Sequence, residues 1–324
     1  MKQKPLISVC IPVYNNSATL QETMDSVLRQ TYSEVELILV DDNSKDDSLP
    51  LIRRTAEEAV AAGKAAAFFD LADRTVSYVR PEICDPANSA PEVDFSNLPA
   101  VVGGRSIWLY HNEKNLGMAG NWNRCLSLCR GEYIKLLCAD DLLDPAILET
   151  EEGYMEEYPT VVLVQSDTEF LDTEGKPQGF YRRYRKSGLV EGKEVVRHSF
   201  FTRDYLGAPL ANLIRASAYK KYGGIDPAFS YIVDYEFFVK LAVNGMLYII
   251  HEPLNYFRLR TDSNTGEVLG GSEGERYIDE HRRLVEKYRG ALGLTDSEVK
   301  RSVRIRRLMN FLGGIYLKLH LART

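Results

Sequence analysis

The sequence predicts an α/β fold: a doubly wound, mixed but mostly parallel sheet flanked by helices, with a C-terminal helical extension. Three observations predict it. Short, almost continuously apolar runs rich in β-branched residues recur along the chain, as in strands covered on both faces. Segments with apolar residues at helical spacing separate them. Two of the apolar runs end abruptly in paired aspartates.

Leu6 to Val13 (L-I-S-V-C-I-P-V) is the first strand, and after the turn Tyr14-Asn15-Asn16-Ser17 a helix carries Leu20, Met24, Val27 and Leu28 on one face. Thr19-x-x-Glu22 has the form of a capping box at its start. Val35 to Val40 is a second buried strand, closed by Asp41-Asp42-Asn43-Ser44 and followed by a helix over about 46–62. Between Gly63 and Gly104, prolines at 81, 86, 91 and 99 break up short apolar runs, so an irregular insertion over 63–104 is expected, with one strand near Val76 to Val79. Its role is a solvated excursion or an acceptor or partner surface.

Regularity returns with a strand at Ile107 to Tyr110. A helix follows with Met118, Trp122, Cys125, Leu126 and Cys129 on one face, then a strand from Tyr133 to Cys138 ending in Ala139-Asp140-Asp141. Asp144-Pro145 suits an N-cap and first helical position, and Val161 to Gln165 is the next strand. Thr173 to Lys176 forms a hairpin turn. Helices are expected at Glu191 to Phe201, Ala216 to Tyr222 (stopped by Gly223-Gly224) and Asp234 to Asn244 (stopped by Gly245). Strands at Leu247 to Ile250 and Leu254 to Arg258 follow. A Gly/Ser break at 270–272 divides a domain of residues 1–270 from an amphipathic helical extension, 271–324.

Forty Lys and Arg against 46 Asp and Glu, a net charge of −6 over 324 residues, argue against a nucleic-acid partner. Five cysteines without a C-x-x-C pair, mostly within apolar runs, suit reduced core thiols, and no window approaches the ~20 apolar residues of a membrane span, so a cytoplasmic location is expected. No G-x-G-x-x-G follows the first strand and no G-x-x-x-x-G-K-[ST] occurs, which removes the dinucleotide dehydrogenases and P-loop enzymes.

The chemistry then rests on the aspartate pairs. In an open α/β sheet ligands bind at the carboxyl ends of strands, so both pairs face one crevice. Ordinary turn capping accounts for either pair alone. Together they suit a hard cation and ligand hydroxyls, with Asp140 and Asp141 the ligand source for a metal that holds phosphates.

Five segments in order, I-S-V-C-I-P-V-Y-N (7–15), Q-T-Y (30–32), V-D-D-N-S (40–44), N-L-G (115–117) and G-E-Y-I-K-L-L-C-A-D-D (131–141), are similar to the family 2 glycosyltransferases of the GT-A fold, across residues 5–262. The resemblance implies that Pro12, Val13, Tyr14, Asn15 and Asp42, with Asn115 and Gly117, hold the nucleotide. It implies that Asp140 meets the ribose and that Asp141 is the direct ligand of a divalent metal, Mg or Mn. Gly224 to Phe229 followed by Asp234-Tyr235-Glu236-Phe237-Phe238 resembles the acceptor-side segment, with Asp234 as catalytic base and Glu236 as runner-up; Val233 stands where the family often has Glu. Arg258-Leu259-Arg260 resembles the Arg-x-His stretch, with Arg260 in place of the His and a guanidinium facing the diphosphate. Trp122 reads as core rather than sugar platform.

The expectation is an inverting, hexosyl-type glycosyltransferase of polysaccharide or cell-envelope biosynthesis, using a nucleotide-sugar, UDP-linked by family frequency, and a saccharide or lipid-linked acceptor. A non-catalytic nucleotide-sugar-binding protein and a sugar nucleotidyltransferase are the alternatives. From Glu298 onward seven basic residues (Lys300, Arg301, Arg304, Arg306, Arg307, Lys318, Arg323) accompany Val303, Leu308, Phe311, Leu312, Ile315, Tyr316, Leu319 and Leu321. Peripheral contact with the inner face of a membrane, packing against the domain and self-association all remain open for this tail.

Overall fold

The computed structural model describes residues 4–71, 104–259 and 274–321, with side chains through 312. The strand expected near Val76 to Val79, most of the 63–104 segment, Arg260 and the break near 270 lie outside the described residues.

β1 (Ile7–Val13) is the centre of the sheet, buried at all seven positions. It pairs in parallel with β2 (Val35–Asp41) on one side and β5 (Tyr133–Leu136) on the other. β4 (Ser106–His111) and β3 (Ala67–Asp70) extend the parallel half beyond β2. Beyond β5 the sheet turns mixed. β10 (Asn212–Arg215) runs antiparallel between β5 and β7 (Val161–Leu171), β11 (Met246–Arg258) lies parallel to β7, and β6 (Leu142–Leu143) closes that edge. β8 (Pro177–Tyr181) pairs with β7, and β9 (Gly188–Glu191) with β11.

The continuous apolar runs resolve into two cores because side chains alternate across a strand. Ile7, Val9, Ile11, Leu37, Leu39 and Leu109 face one side, where α1 (Leu20–Leu28), α2 (Ser48–Ala61) and α4 (Ile147–Glu157) pack. Cys10, Ile38, Val40, Trp108 and Tyr110 face the other. That side is covered by α3 (Gly117–Leu128), α5 (Gly192–Phe200), α6 (Ala216–Tyr222) and α7 (Val233–Ala242), with α8 (Gly274–Leu292) and the start of α9 (Asp296–Leu321) outside them.

Several sequence expectations change. The Thr19/Glu22 capping box does not form. Thr19 Oγ1 donates to Ala139 O at 2.9 Å and Glu22 Oε2 accepts from Arg258 Nη2 at 2.6 Å, so tertiary partners claim both side chains. Asp144 is not the cap of α4: the helix begins at Ile147, and the Asp144 carboxylate accepts from Ala146 N in the turn before it. The two strands expected over 247–258 are one strand, β11, with register shifts on either side of Pro253, which cannot donate to the ladder. β7 runs on to Leu171 because β11 and β8 pair with its second half. The start of the expected irregular insertion is ordered as β3, whose Phe69 stacks on Trp108 at 4.0 Å.

Candidate active site

The parallel strands β1, β2 and β4 end at Val13, Asp41 and His111, and a cavity of about 360 Å³ opens there. The turn after β1 is fixed from behind by the loop after β2. Asn15 N donates to Ser44 Oγ, Asn16 N to Ser48 Oγ and Ser17 N to Asp46 Oδ2, while Asn15 Oδ1 accepts from Lys45 N. Pro12, Val13 and the half-exposed Tyr14 line the cavity. Asn15, at φ 54°, does not; its side chain is spent on holding the two turns together.

The two aspartates after β2 diverge. Asp41 is fully buried and its Oδ2 meets His111 Nδ1 at 2.8 Å. Asp42 lines the cavity, and its Oδ1 accepts from Asn112 Nδ2 at 2.7 Å and Leu116 N at 2.9 Å, leaving Oδ2 outside these bonds. Asn112 also donates to Asn121 Oδ1, so the Asp42–Asn112–Asn121 chain fixes the cavity wall. Asn115 Oδ1 accepts from Gly117 N, and Gly117 has φ 72°, a conformation open to glycine at little cost. Both residues line the cavity at the start of α3.

The acidic turn after β5 forms the floor. Asp140 lines the cavity, whereas Asp141 lies beneath it, 1% exposed, with Oδ1 accepting from Arg258 N at 3.2 Å. Burial, and then the charge of Asp140, pushes the Asp141 carboxyl well above the usual range. Arg258 braces the turn further, donating from Nε to Asp140 O and from Nη2 to Glu22. Arg258 is therefore a strut under the acidic turn.

Asp141 Oδ2 is buried without a hydrogen-bond partner. Donor atoms of Cys138, Asp140 and Asp141 lie within 4.8 Å of one another. Two carboxylates, one with an orphaned buried oxygen, fit a hard divalent cation. Asp140 reaches the cavity and Asp141 carries the orphaned oxygen, so both carboxylates belong to one cluster.

Asp234 stands at the start of α7, partly buried, outside the cavity lining. Ala208 N donates to its Oδ2 at 3.0 Å and Tyr235 N to its Oδ1 at 2.8 Å. Burial pushes the Cys138 thiol well up, and the charges of Asp141, Asp140 and Asp234 add to that, so Asp234 lies within electrostatic reach of the cavity floor. Ala208 holds φ 62° without being glycine, a strained conformation of the kind that accumulates at functional sites. At Gly207 a Cβ would collide with Asp204 Oδ2 and come within 3.3 Å of Asp234 Oδ2, so only glycine fits between these carboxylates. Asp204, partly buried and beside Asp234, is pushed up to about 6, first by desolvation and then by that charge.

Glu236 is excluded as a base. It is fully buried on the far side of α7, where Lys287 Nζ at 2.9 Å and Tyr288 Oη at 2.7 Å donate to its Oε1.

Of the residues expected to hold a nucleotide, Pro12, Val13, Tyr14, Asp42, Asn115, Gly117 and Asp140 thus line one cavity. The sequence reading missed Asn16, Asn121 and Cys138 in its wall. Cys138 read as a core thiol, because the apolar run that precedes the acidic turn ends on it, whereas β5 stops at Leu136. Trp122 is both core and wall.

Comparison with known proteins agrees with this architecture. The chain is 26% identical over 280 residues to an uncharacterized glycosyltransferase, RT0329, of Rickettsia typhi, covering 84% of this chain and 71% of that one. It is 24% identical over 268 residues to the chondroitin synthase of Escherichia coli, covering 82% of this chain but 30% of that protein. The crystal structure of S. aureus TarS 1-349 in complex with UDP-GlcNAc superposes with a TM-score of 0.62 at 15% identity, over 92% of this chain and 70% of that one. The mannosyltransferase PcManGT of Pyrobaculum calidifontis, in complex with GDP-Man and Mn2+, gives 0.58 at 13% identity, over 100% and 76%. The glycosyl transferase family 2 profile matches residues 8–64 and 99–203, half of the chain. With a GT-A-like sheet and that match over its first two hundred residues, the chain belongs to glycosyltransferase family 2 and is a transferase of sugars.

Proposed function

We propose that this enzyme moves a sugar from a UDP-linked donor to a hydroxyl of a saccharide or lipid-linked acceptor with inversion, Asp234 acting as base. The observation that carries the reading is the cavity at the strand ends, with Asp42 in its wall, Asp140 on its floor and Asp234 close enough to charge that floor. Tyr14 offers an exposed ring to a base, and Asp42 an acceptor oxygen to a uracil N–H or ribose hydroxyl. Asp140 faces the donor, and Asp141 supports it from below with its orphaned oxygen. Asp140 and Asp141 would hold a divalent ion, Mg or Mn, whose positive charge would offset that of the departing diphosphate.

The acceptor oxygen attacks the anomeric carbon as the bond to the diphosphate oxygen breaks, and its proton passes to Asp234. The backbone N–H groups of Ala208 and Tyr235 fix the plane of that carboxylate, and each oxygen keeps a lone pair for the proton. The runner-up is a non-catalytic nucleotide-sugar-binding protein. Nothing in the site favours it, since the base and both floor carboxylates are present.

The test is a thermal-shift and turnover screen of UDP-, GDP- and dTDP-sugars with Mn2+ and with chelator. Stabilisation by UDP-sugars, lost in chelator, and release of UDP on adding a saccharide acceptor are expected. A preference for another base would replace the donor, and binding without turnover of any donor would leave the binding protein.

A further inference from the structure

We propose that the exposed stripe of α9 from Arg301 to Leu312 is a docking surface for an anionic lipid bilayer. The helix has two faces used in different ways. Val299, Ser302 and Arg306, at i, i+3 and i+7, are buried against the body. Ser302 Oγ donates to Phe200 O at 2.7 Å and accepts from His281 Nε2 at 2.9 Å, while Arg306 Nη2 donates to Ser199 O. After Arg306 the exposed apolar residues, Met309 apart, lie off that face. Leu308, Met309, Phe311 and Leu312 are 57%, 40%, 64% and 53% exposed. At about 100° per residue, Leu308, Phe311 and Leu312 lie on roughly the opposite side of the helix from Val299, Ser302 and Arg306. Continued packing on the body therefore cannot cover them.

The charge on the same stripe selects the occupant. Arg301 and Arg304 precede Leu308 at i−7 and i−4 and are exposed, Lys300 flanks them, Arg307 is paired with Glu275 at 3.2 Å, and no acid occurs from Val299 to the end of the sequence. A second copy laid symmetrically on this stripe would bring guanidinium against guanidinium. A protein surface of like composition is disfavoured for the same reason, whereas a bilayer accepts apolar side chains below its headgroups and anionic lipid answers the arginines. Among the described residues no helix is long and apolar enough to cross a membrane, so the contact is one of lying on the surface. The inference stands apart from the reading of the donor site, since it uses none of its residues.

The experiment is co-sedimentation of the full chain with phosphatidylcholine vesicles, with and without phosphatidylglycerol, at low and high salt. The intact protein is compared with Phe311→Asp/Leu312→Asp and with Arg301→Glu/Arg304→Glu, and all three are sized in the absence of lipid. The substituted side chains are exposed, so circular dichroism and Tm should match the intact protein. Binding to phosphatidylglycerol vesicles, weakened roughly tenfold or more by high salt and by either double substitution, is expected. Equal partition of all three proteins, or binding indifferent to phosphatidylglycerol, would overturn the proposal. So would a dimer without lipid that Phe311→Asp/Leu312→Asp dissociates, which would assign the stripe to a second copy.

Discussion

At the scale of single residues, position relative to α7 separates two acids two places apart. Asp234 is partly buried and held by the backbone N–H groups of Ala208 and Tyr235, while Glu236 is fully buried and locked by Lys287 and Tyr288. Asp234→Asn should therefore reduce kcat by roughly 10³-fold or more and leave UDP affinity within about twofold, because a lost base weakens the transition state more than ground-state binding. Glu236→Gln should instead lower Tm with kcat largely kept. Steady-state kinetics and a denaturation curve on both variants decide, and substantial turnover by Asp234→Asn would reject the assignment. The floor carboxylates make a second pair. Asp140→Ala should abolish the effect of Mn2+ on UDP affinity measured by calorimetry, since Asp140 is the one that lines the cavity. Asp141→Ala should weaken the effect as well, through its orphaned oxygen and the loosened Arg258 strut.

At the scale of elements, the segment from Asp204 to Ala208 links two carboxylates: Asp204 Oδ1 accepts from Leu206 N and Gly207 N, and Asp234 Oδ2 from Ala208 N. Asp204 is partly buried and raised to about 6 in the folded chain, against 3.8 when unfolded, so between those values the folded state binds the proton more. Stability from this group is thus greatest below about pH 4, falls as pH rises to about 6, and is level beyond. Asp204→Asn removes that fall. Relative to the parent the variant should gain on the order of 1–3 kcal/mol between pH 4 and pH 7 in denaturant titrations, and a pH-independent difference would contradict it. In the middle of the sheet, Lys135 of β5 and Glu151 of α4 form a fully buried pair at 2.6 Å. Lys135→Met should cost about 3–5 kcal/mol by stranding the glutamate, and adding Glu151→Leu should recover much of it. An additive double mutant would show the pair to be uncoupled.

At the scale of the whole molecule, the C-terminal helices are tied to the segment that carries the proposed base. Glu280 of α8 accepts hydrogen bonds from the backbone of Ser230, Tyr231 and Ile232 at 2.8, 2.9 and 3.2 Å, immediately before α7. Leu284, Val285, Tyr288 and Val299 join the same core as α5 and α7. Glu280→Ala should therefore lower kcat about tenfold or more while donor KM changes little, because the entry to α7, and with it Asp234, is loosened. Glu280→Gln, which keeps the two acceptor sites on its amide oxygen, should recover part of the loss. A fall confined to Tm, with kcat intact, would make Glu280 a structural cap alone.

The sequence by itself determined β1, β2, β4 and β5 and the helices between them, because each of these strands is buried on both faces and leaves a continuous apolar signal. It determined the cavity wall equally well, since Pro12 to Tyr14, Asp42, Asn115, Gly117 and Asp140 sit where strands end, and strand ends are visible in composition. It did not determine β3, β8, β9 or β10, which are four or five residues long and exist through their neighbours in the sheet. Nor did it determine what Thr19, Glu22, Asp141, Arg258 and Glu236 do. Local spacing gave Thr19 and Glu22 to a cap, and the family resemblance left Glu236 a candidate base. Partners 120 residues away for Thr19, 236 for Glu22 and Arg258, and 52 for Glu236 decided otherwise. A side chain's hydrogen-bonding capacity goes to whichever partner the completed fold brings within reach, and that is settled only when the sheet has brought distant segments together.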